Sequence, residues 1–267
     1  MLMKHRKLKL RRGVIAAAAV ICAVFLCAVL WRSAPAETLP APKTTPLPEN
    51  LIEAVKRNDY AAVGYLLGQG VDVNQAAPSG ETALMAAAEK GYTPITAALL
   101  QAGADPAITD KLGRHALLIA AGKGQLDVIK TLLRYKTDIN IGAERSQTAL
   151  LAACRAGKSA AVELLMQYKP LLYPGVSSGQ GPLTVALQNK HIQTAMVLLA
   201  NGADAQECDR RGNTILHLAV QCGSVELCEA LLNKYNMDAS SLNKNGQSAA
   251  DWAKKSGNPA LIKLFDR

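Results

Sequence analysis

The feature that most constrains this chain is a period. From residue 49 onward the phrases GETALMAAA, GRHALLIAA, SQTALLAAC, GQGPLTVAL, GNTILHLAV and GQSAADWAK align with one another. Their third letters fall at Thr82, His115, Thr148, Gly181, Thr214 and Ser248, spaced by 33, 33, 33, 33 and 34 residues. Gly91, Gly124, Gly157, Lys190, Gly223 and Gly257 keep a second constant offset, and Asp72, Asp105, Asp138 and Asp204 a third, with one unit skipped. A step of 33 back from Thr82 reaches Glu49, and Leu51–Val55 then falls on the inner apolar positions, which makes seven units with the first and last degenerate. A unit this short cannot bury its apolar face alone, so neighbours must stack.

Each unit reads as two short antiparallel helices and a turn. Thr82, Thr148 and Thr214 stand where a hydroxyl can cap a helix, and apolar residues two, four and five positions on mark its buried face. Small residues such as Ala86-Ala87-Ala88 let helices approach closely. Gly91 and its equivalents end the first helix. Leu99-Leu100, Leu132-Leu133 and Leu198-Leu199 close the second, with Gly70, Gly103 and Gly202 as terminators. With aromatics at only 4% of the chain, the core has to be aliphatic.

The 33-residue period, the phrase Thr214-Ile215-Leu216-His217-Leu218-Ala219 and the preceding Gly202-Ala203-Asp204 resemble the ankyrin-repeat family over residues 50–267. The resemblance implies an all-α solenoid of about seven helix-turn-helix units and a non-catalytic, protein-binding role. It also places His217 beside the capping Thr214.

The unit anchored at Gly181 departs from the pattern. Gly181 replaces the capping Thr, Lys190 the helix-ending Gly, and Lys169-Pro170-Leu171-Leu172-Tyr173-Pro174-Gly175 the usual Gly-Ala-Asp turn. Such a unit is either a weakened joint or a reshaped loop that contacts a partner, with Tyr173 as its exposed anchor.

The N-terminus has a different character. The chain carries a net charge of +9, but residues 1–36 hold seven of the 30 basic residues and none of the 21 acidic ones. From Glu37 onward the balance is only +2, so charge alone gives no reason to expect a nucleic-acid partner. Residues 1–13 read as a basic cytoplasmic tail. Val14–Trp31, eighteen residues without a charge, suit a membrane-spanning helix over 14–32 that exports the C-terminal remainder of the chain. The alternative is a cleaved signal peptide ending near Ala36. Five prolines between Pro35 and Pro48 make 33–48 an extended spacer, and 49–267 is the repeat domain. The expected location is the cytoplasmic membrane with the repeats outside it, periplasmic if the cell is bacterial, or a secreted form after cleavage.

Candidate chemistry is sparse. Gly175-Val176-Ser177-Ser178-Gly179 matches a nucleophile-elbow pattern, but it lies between helices where that mechanism needs a strand. A serine hydrolase using Ser177 is therefore the least favoured reading. The four histidines, His5, His115, His191 and His217, show no zinc-type spacing. No cofactor, metal, nucleic acid or small-molecule substrate is expected. Cys22 and Cys27 fall in the apolar segment, and Cys154 takes a small buried position held elsewhere by Ala88 and Ala121. Cys222 at the end of one helix could meet Cys228 in the next, while Cys208 lies in the same unit; spacing leaves a disulfide open. Tyr135 and Tyr168, 33 apart, are expected to stack on the outer surface.

In the ankyrin family the concave face is lined by positions −4, −3, −1, +7 and +8 from each anchor. Carried over to this chain, these positions hold Lys90, Lys111, Arg114, Lys123, Arg145, Arg155, Arg210, Arg211, Lys244 and Lys255, against three glutamates. The net of +7 on that face exceeds the +2 of the whole exported region. The expected function is a protein-interaction module gripping an acidic protein through this face. An envelope scaffold or tether and an immunity-type inhibitor of an envelope enzyme or toxin are the alternatives.

Overall fold

The computed structural model describes residues 50–142, 148–173 and 181–266. The expected tail (1–13), membrane helix (14–32) and spacer (33–48), and also Arg145 and Ser177, lie outside the described residues.

Among the described residues fourteen helices form seven pairs. These are α1 (Leu51–Lys56) with α2 (Tyr60–Gly68), α3 (Ala83–Lys90) with α4 (Thr93–Gln101), and α5 (Ala116–Lys123) with α6 (Leu126–Arg134). Then come α7 (Ala149–Arg155) with α8 (Ser159–Met166), and α9 (Pro182–Gln188) with α10 (Ile192–Ala200). The last two are α11 (Ile215–Gln221) with α12 (Val225–Asn233), and α13 (Ala249–Ser256) with α14 (Pro259–Phe265). The first helices α1, α3, α5, α7, α9, α11 and α13 pack in chain order as one row. Among the described residues β-structure is limited to three isolated bridges, Ala76–Thr82, Cys208–Thr214 and Leu242–Ser248, which close hairpin fingers. No helix among the described residues is long and apolar enough to cross a membrane.

The anchors cap as the period predicts. Thr82 Oγ1 accepts from the Met85 amide and Thr148 Oγ1 from Leu151, both at 3.3 Å. Ser248 Oγ accepts from Asp251 at 3.1 Å, and His115 substitutes Nδ1 for a hydroxyl, accepting from Leu118 at 3.3 Å. At Thr214 the hydroxyl and amide both meet His217 Nδ1, at 2.9 and 3.2 Å, while His217 Nε2 reaches the Gln247 carbonyl at 3.0 Å. An amide donating to Nδ1 leaves the ring proton on Nε2, so His217 ties its own cap to the next unit. Trp252 packs against it with ring centroids 5.3 Å apart.

The first helices of the second to seventh units share a column of alanines. Ala87, Ala120, Ala153, Ala186, Ala219 and Ala253 are all 0% exposed. Beside it runs a leucine column (Leu84, Leu117, Leu150, Leu183, Leu216), and Leu99, Leu132, Leu165, Leu198 and Leu231 fill the second helices. Removing one such leucine to alanine costs about 2–5 kcal/mol. Cys154 is buried as expected. The four described cysteines, Cys154, Cys208, Cys222 and Cys228, are free thiols. Cys222 Sγ donates to the Leu187 carbonyl at 3.3 Å instead of bridging to Cys228.

The first helices end in left-handed residues. Gly91 has φ 78° and Gly124 φ 78°; Lys190 keeps the same conformation at φ 61° without glycine's freedom. The recurring aspartates each turn the chain: Asp72, Asp105, Asp138, Asp204 and Asp238 accept at Oδ1 from the amide two residues on. In the skipped unit the Leu171 amide donates to Asn140 Oδ1 at 2.8 Å, as the Asp105 amide does to Asn74 Oδ1 at 2.8 Å. The expected Tyr135–Tyr168 stack is absent: among the described residues the ring pair is His217–Trp252.

Candidate interaction surface

The face expected to bind is made of the fingers and the first helices. Each described finger is a tight hairpin closed by backbone pairs, such as Asp110 N to Arg114 O at 2.9 Å and Asp209 N to Asn213 O at 3.0 Å. Side chains stiffen them. Asp110 Oδ1 accepts from the amides of Leu112 and Arg114, Asp209 Oδ1 from those of Arg211 and Asn213, and Asn243 Oδ1 from those of Asn245 and Gln247. Neighbouring fingers are also joined. The Lys111 amide donates to Ser79 O at 3.1 Å, and the Lys244 amide to Arg211 O at 2.9 Å. Asn243 Nδ2 reaches Asn213 Oδ1 at 2.7 Å. The side chains of Lys111, Arg211 and Lys244 therefore leave a fixed backbone.

Nine of the ten expected cations lie in described residues, and all nine are exposed: Lys90, Lys111, Arg114, Lys123, Arg155, Arg210, Arg211, Lys244 and Lys255. They are not equivalent. Arg114 is 2.7 Å from the nearly buried Asp110 carboxylate, and Lys123 is 3.0 Å from Glu89. Lys56, outside the expected set, neutralises Glu81 at 2.7 Å. Burial pushes the Asp110 carboxyl up, but hydrogen bonds from Arg114 and Leu112 and the guanidinium charge outweigh it and hold it below the usual range. Glu89 is likewise held low, first by its hydrogen bond from Lys123. In contrast, Lys90, Lys111, Arg155, Arg211, Lys244 and Lys255 have no carboxylate within 4.0 Å among the described residues. The cations expected on this face thus differ in their surroundings. Arg114 and Lys123 of the third unit are spent on internal pairs, whereas Arg155, Arg211, Lys244 and Lys255 are not.

Asp110, buried beneath its finger, is the residue that the family positions missed. A signal existed, because Asp110, Asp209 and Asn243 share one offset, five before their anchors, and a side-chain acceptor at a hairpin start suits an Asx turn.

Tyr173 is 49% exposed, and its hydroxyl donates to Glu207 Oε1 at 3.1 Å. Glu207, 8% exposed, also accepts from the Thr184 amide and hydroxyl, both at 3.0 Å. Burial raises the Glu207 carboxyl above the usual range, against those donors. Tyr173 is therefore tethered to the joint between units while about half of it stays exposed.

The described histidines have structural partners: His191 Nε2 meets the Arg155 carbonyl at 3.1 Å, beside the caps made by His115 and His217. Among the described residues no group of three or more His, Cys, Asp or Glu could hold a metal ion.

The chain belongs to the ankyrin-repeat family: the family described as "Ankyrin repeats (3 copies)" matches residues 51–143, 137–209 and 183–266. Ankyrin repeats indicate a protein–protein interaction module. Among curated proteins, the target of rapamycin complex 2 subunit AVO2 of Saccharomyces cerevisiae is 31% identical over 75 residues, which is 28% of this chain and 17% of that protein. Among solved structures, the ankyrin repeat domain of Bcl-3, described as a unique member of the IkappaB protein family, superposes with a TM-score of 0.70 at 22% identity, covering 81% of this chain and 97% of that one. The human ASB11 ankyrin repeat domain gives 0.67 at 24% identity, covering 80% and 96%. These structures share the fold.

Proposed function

We propose that this protein is a non-enzymatic interaction module, held outside a cytoplasmic membrane by its N-terminal segment, that binds an acidic protein partner through its finger and inner-helix face. The observation that carries the reading is the set of exposed cations without carboxylate partners, led by Arg155, Arg211 and Lys244. Opposed charge speeds encounter and orients the partner. Residues 14–32 supply the anchor and 33–48 the spacer in this reading, on the strength of their composition.

Charge reversal at Arg155, Arg211 and Lys244 tests the binding half, because none of the three supports the fold through an ion pair. A crosslinked partner from intact cells, identified and purified, should lose most of its affinity for the reversed chain at low salt. Equal binding would end the proposal, and flotation of the wild type on anionic vesicles without any protein partner would replace it with a lipid tether. Topology is tested at Cys208, an exposed thiol. A membrane-impermeant maleimide should label it from outside the cytoplasmic membrane, and labelling only after lysis contradicts export.

A further inference from the structure

Seven positions past each anchor the inner face carries a long side chain: Glu89, Arg155, Gln188, Gln221 and Lys255. In α5 that position is Gly122. Nothing in the backbone requires glycine there. Gly122 lies in a helix outside the left-handed region, and a Cβ added to it would meet only Ala152, at 3.8 Å from its Cβ and 4.0 Å from its carbonyl oxygen, an ordinary contact. An interior helical glycine nevertheless weakens the helix relative to alanine.

The consequence lies one turn back. Residues three and four apart share a helix face, so the side chain missing at Gly122 is the one that would cover Leu118 and Ile119. Leu118 is half-buried, whereas Met85, Leu151, Thr184 and His217 at the matching place are buried; Ile119 is half-buried too, as are Ala152 and Trp252 at its own matching place. Leu118, Ile119 and Met85 contribute the apolar part of a cavity of about 300 Å³ between α3 and α5. Its rim includes Arg114 with Asp110 and Lys123 with Glu89, charges already paired with each other. A free ion gains little from such a rim, and what remains unsatisfied is the aliphatic surface. The volume sits at the lower end for ligand pockets. Lys90 adjoins Glu89, Lys111 adjoins Asp110, and Arg155 stands one unit along at the position equivalent to Gly122, all three exposed and without a carboxylate partner among the described residues.

We infer that this cavity receives one aliphatic side chain, of leucine, isoleucine or methionine type, from an acidic segment of the partner. The acidic residues on either side of it lie against Lys90, Lys111 and Arg155. The inference rests on the acidic-partner reading and adds an apolar anchor to it, in the manner of interface hot spots.

The probe is a short fluorescent peptide of acidic residues with one central leucine, compared with its central-serine twin, titrated by anisotropy against the full chain in detergent. Burying a leucine side chain predicts a preference of about tenfold or more for the leucine peptide. Gly122→Leu, which fills the cavity, should abolish the preference of the leucine peptide over the serine peptide. Gly122→Ala, which fits without strain, should melt no lower than wild type and show an intermediate preference. Salt-sensitive binding with no leucine preference would overturn the pocket and leave the acidic-partner reading standing. Absence of binding by either peptide at low salt would overturn both.

Discussion

The carboxylate of Glu207 occupies the space that a side chain on Gly181 would need: a Cβ built on Gly181 would run into its carboxyl carbon and both oxygens. The two residues belong to successive units. Gly181 is the N-cap of α9 and makes no side-chain cap bond, while Glu207 arrives from the turn of the following unit and accepts from Thr184, inside the first turn of α9. The cap lost with the consensus threonine is thus supplied from the neighbour, and a carboxylate there also complements the helix dipole.

Restoring the consensus should therefore do harm. Gly181→Thr is expected to destabilise the stack by about 1–3 kcal/mol through overpacking, read as a lowered urea midpoint. Glu207→Ala alone should cost about 1–3 kcal/mol by stranding the Thr184 amide. The double variant should recover part of both losses, with a coupling of about 0.5–3 kcal/mol. Strict additivity would show that the two residues act independently.

The same carboxyl predicts a pH dependence. Burial raises the Glu207 pKa above its ordinary value of 4.5, so the native state holds this proton more tightly than the unfolded chain. Its contribution to stability is then greatest near and below pH 4.5 and falls as pH rises through the native-state value. Asp110 and Glu89, held low, have the opposite slope. The difference in unfolding free energy between wild type and Glu207→Gln, followed from pH 4 to pH 8, should shift in favour of the variant as pH rises. A flat difference curve contradicts the assignment.

Lys190 holds a left-handed backbone at φ 61° where five other units use glycine. Lys190→Gly should raise stability by about 1 kcal/mol, the relief of αL strain less the added freedom of the unfolded chain. A thermal midpoint that falls would show that the lysine side chain contributes more than its backbone costs.

The alanine column sets how closely the first helices approach. Ala153→Leu places three extra carbons at a site that is 0% exposed and should cost about 1–3 kcal/mol or more, visible as a lowered midpoint. Lys158→Leu, on the exposed edge of the same unit, should change stability by no more than about 0.5 kcal/mol.

The helices, their caps and the buried alanines were legible because they recur: Thr82, Thr148 and Ser248 do the same work at nearly the same spacing. What recurred less was harder to read. Glu207 is opaque because its partner Gly181 sits 26 residues away in another unit, and period alignment compares equivalent positions, not contacts between different ones. The charge of the inner face was overcounted in its first half because Asp110 stands one place before the family's exposed positions, yet its carboxylate holds Arg114. The opening beside Gly122 depends on a side chain that is missing, which only neighbouring exposures at Leu118 and Ile119 make visible. Cys222 looked available to Cys228 by spacing, but its thiol turns toward the Leu187 carbonyl of the preceding unit.

The central claim is that binding happens on the finger and inner-helix side of the stack. Hydrogen exchange of the full chain, with and without its captured and identified partner, tests it most directly. The account predicts added protection in the fingers at Asp110–Arg114, Asp209–Asn213 and Asn243–Gln247 and in α5, α7 and α11, with α6, α8 and α12 unchanged. Protection confined to the second helices α6, α8 and α12 would contradict it.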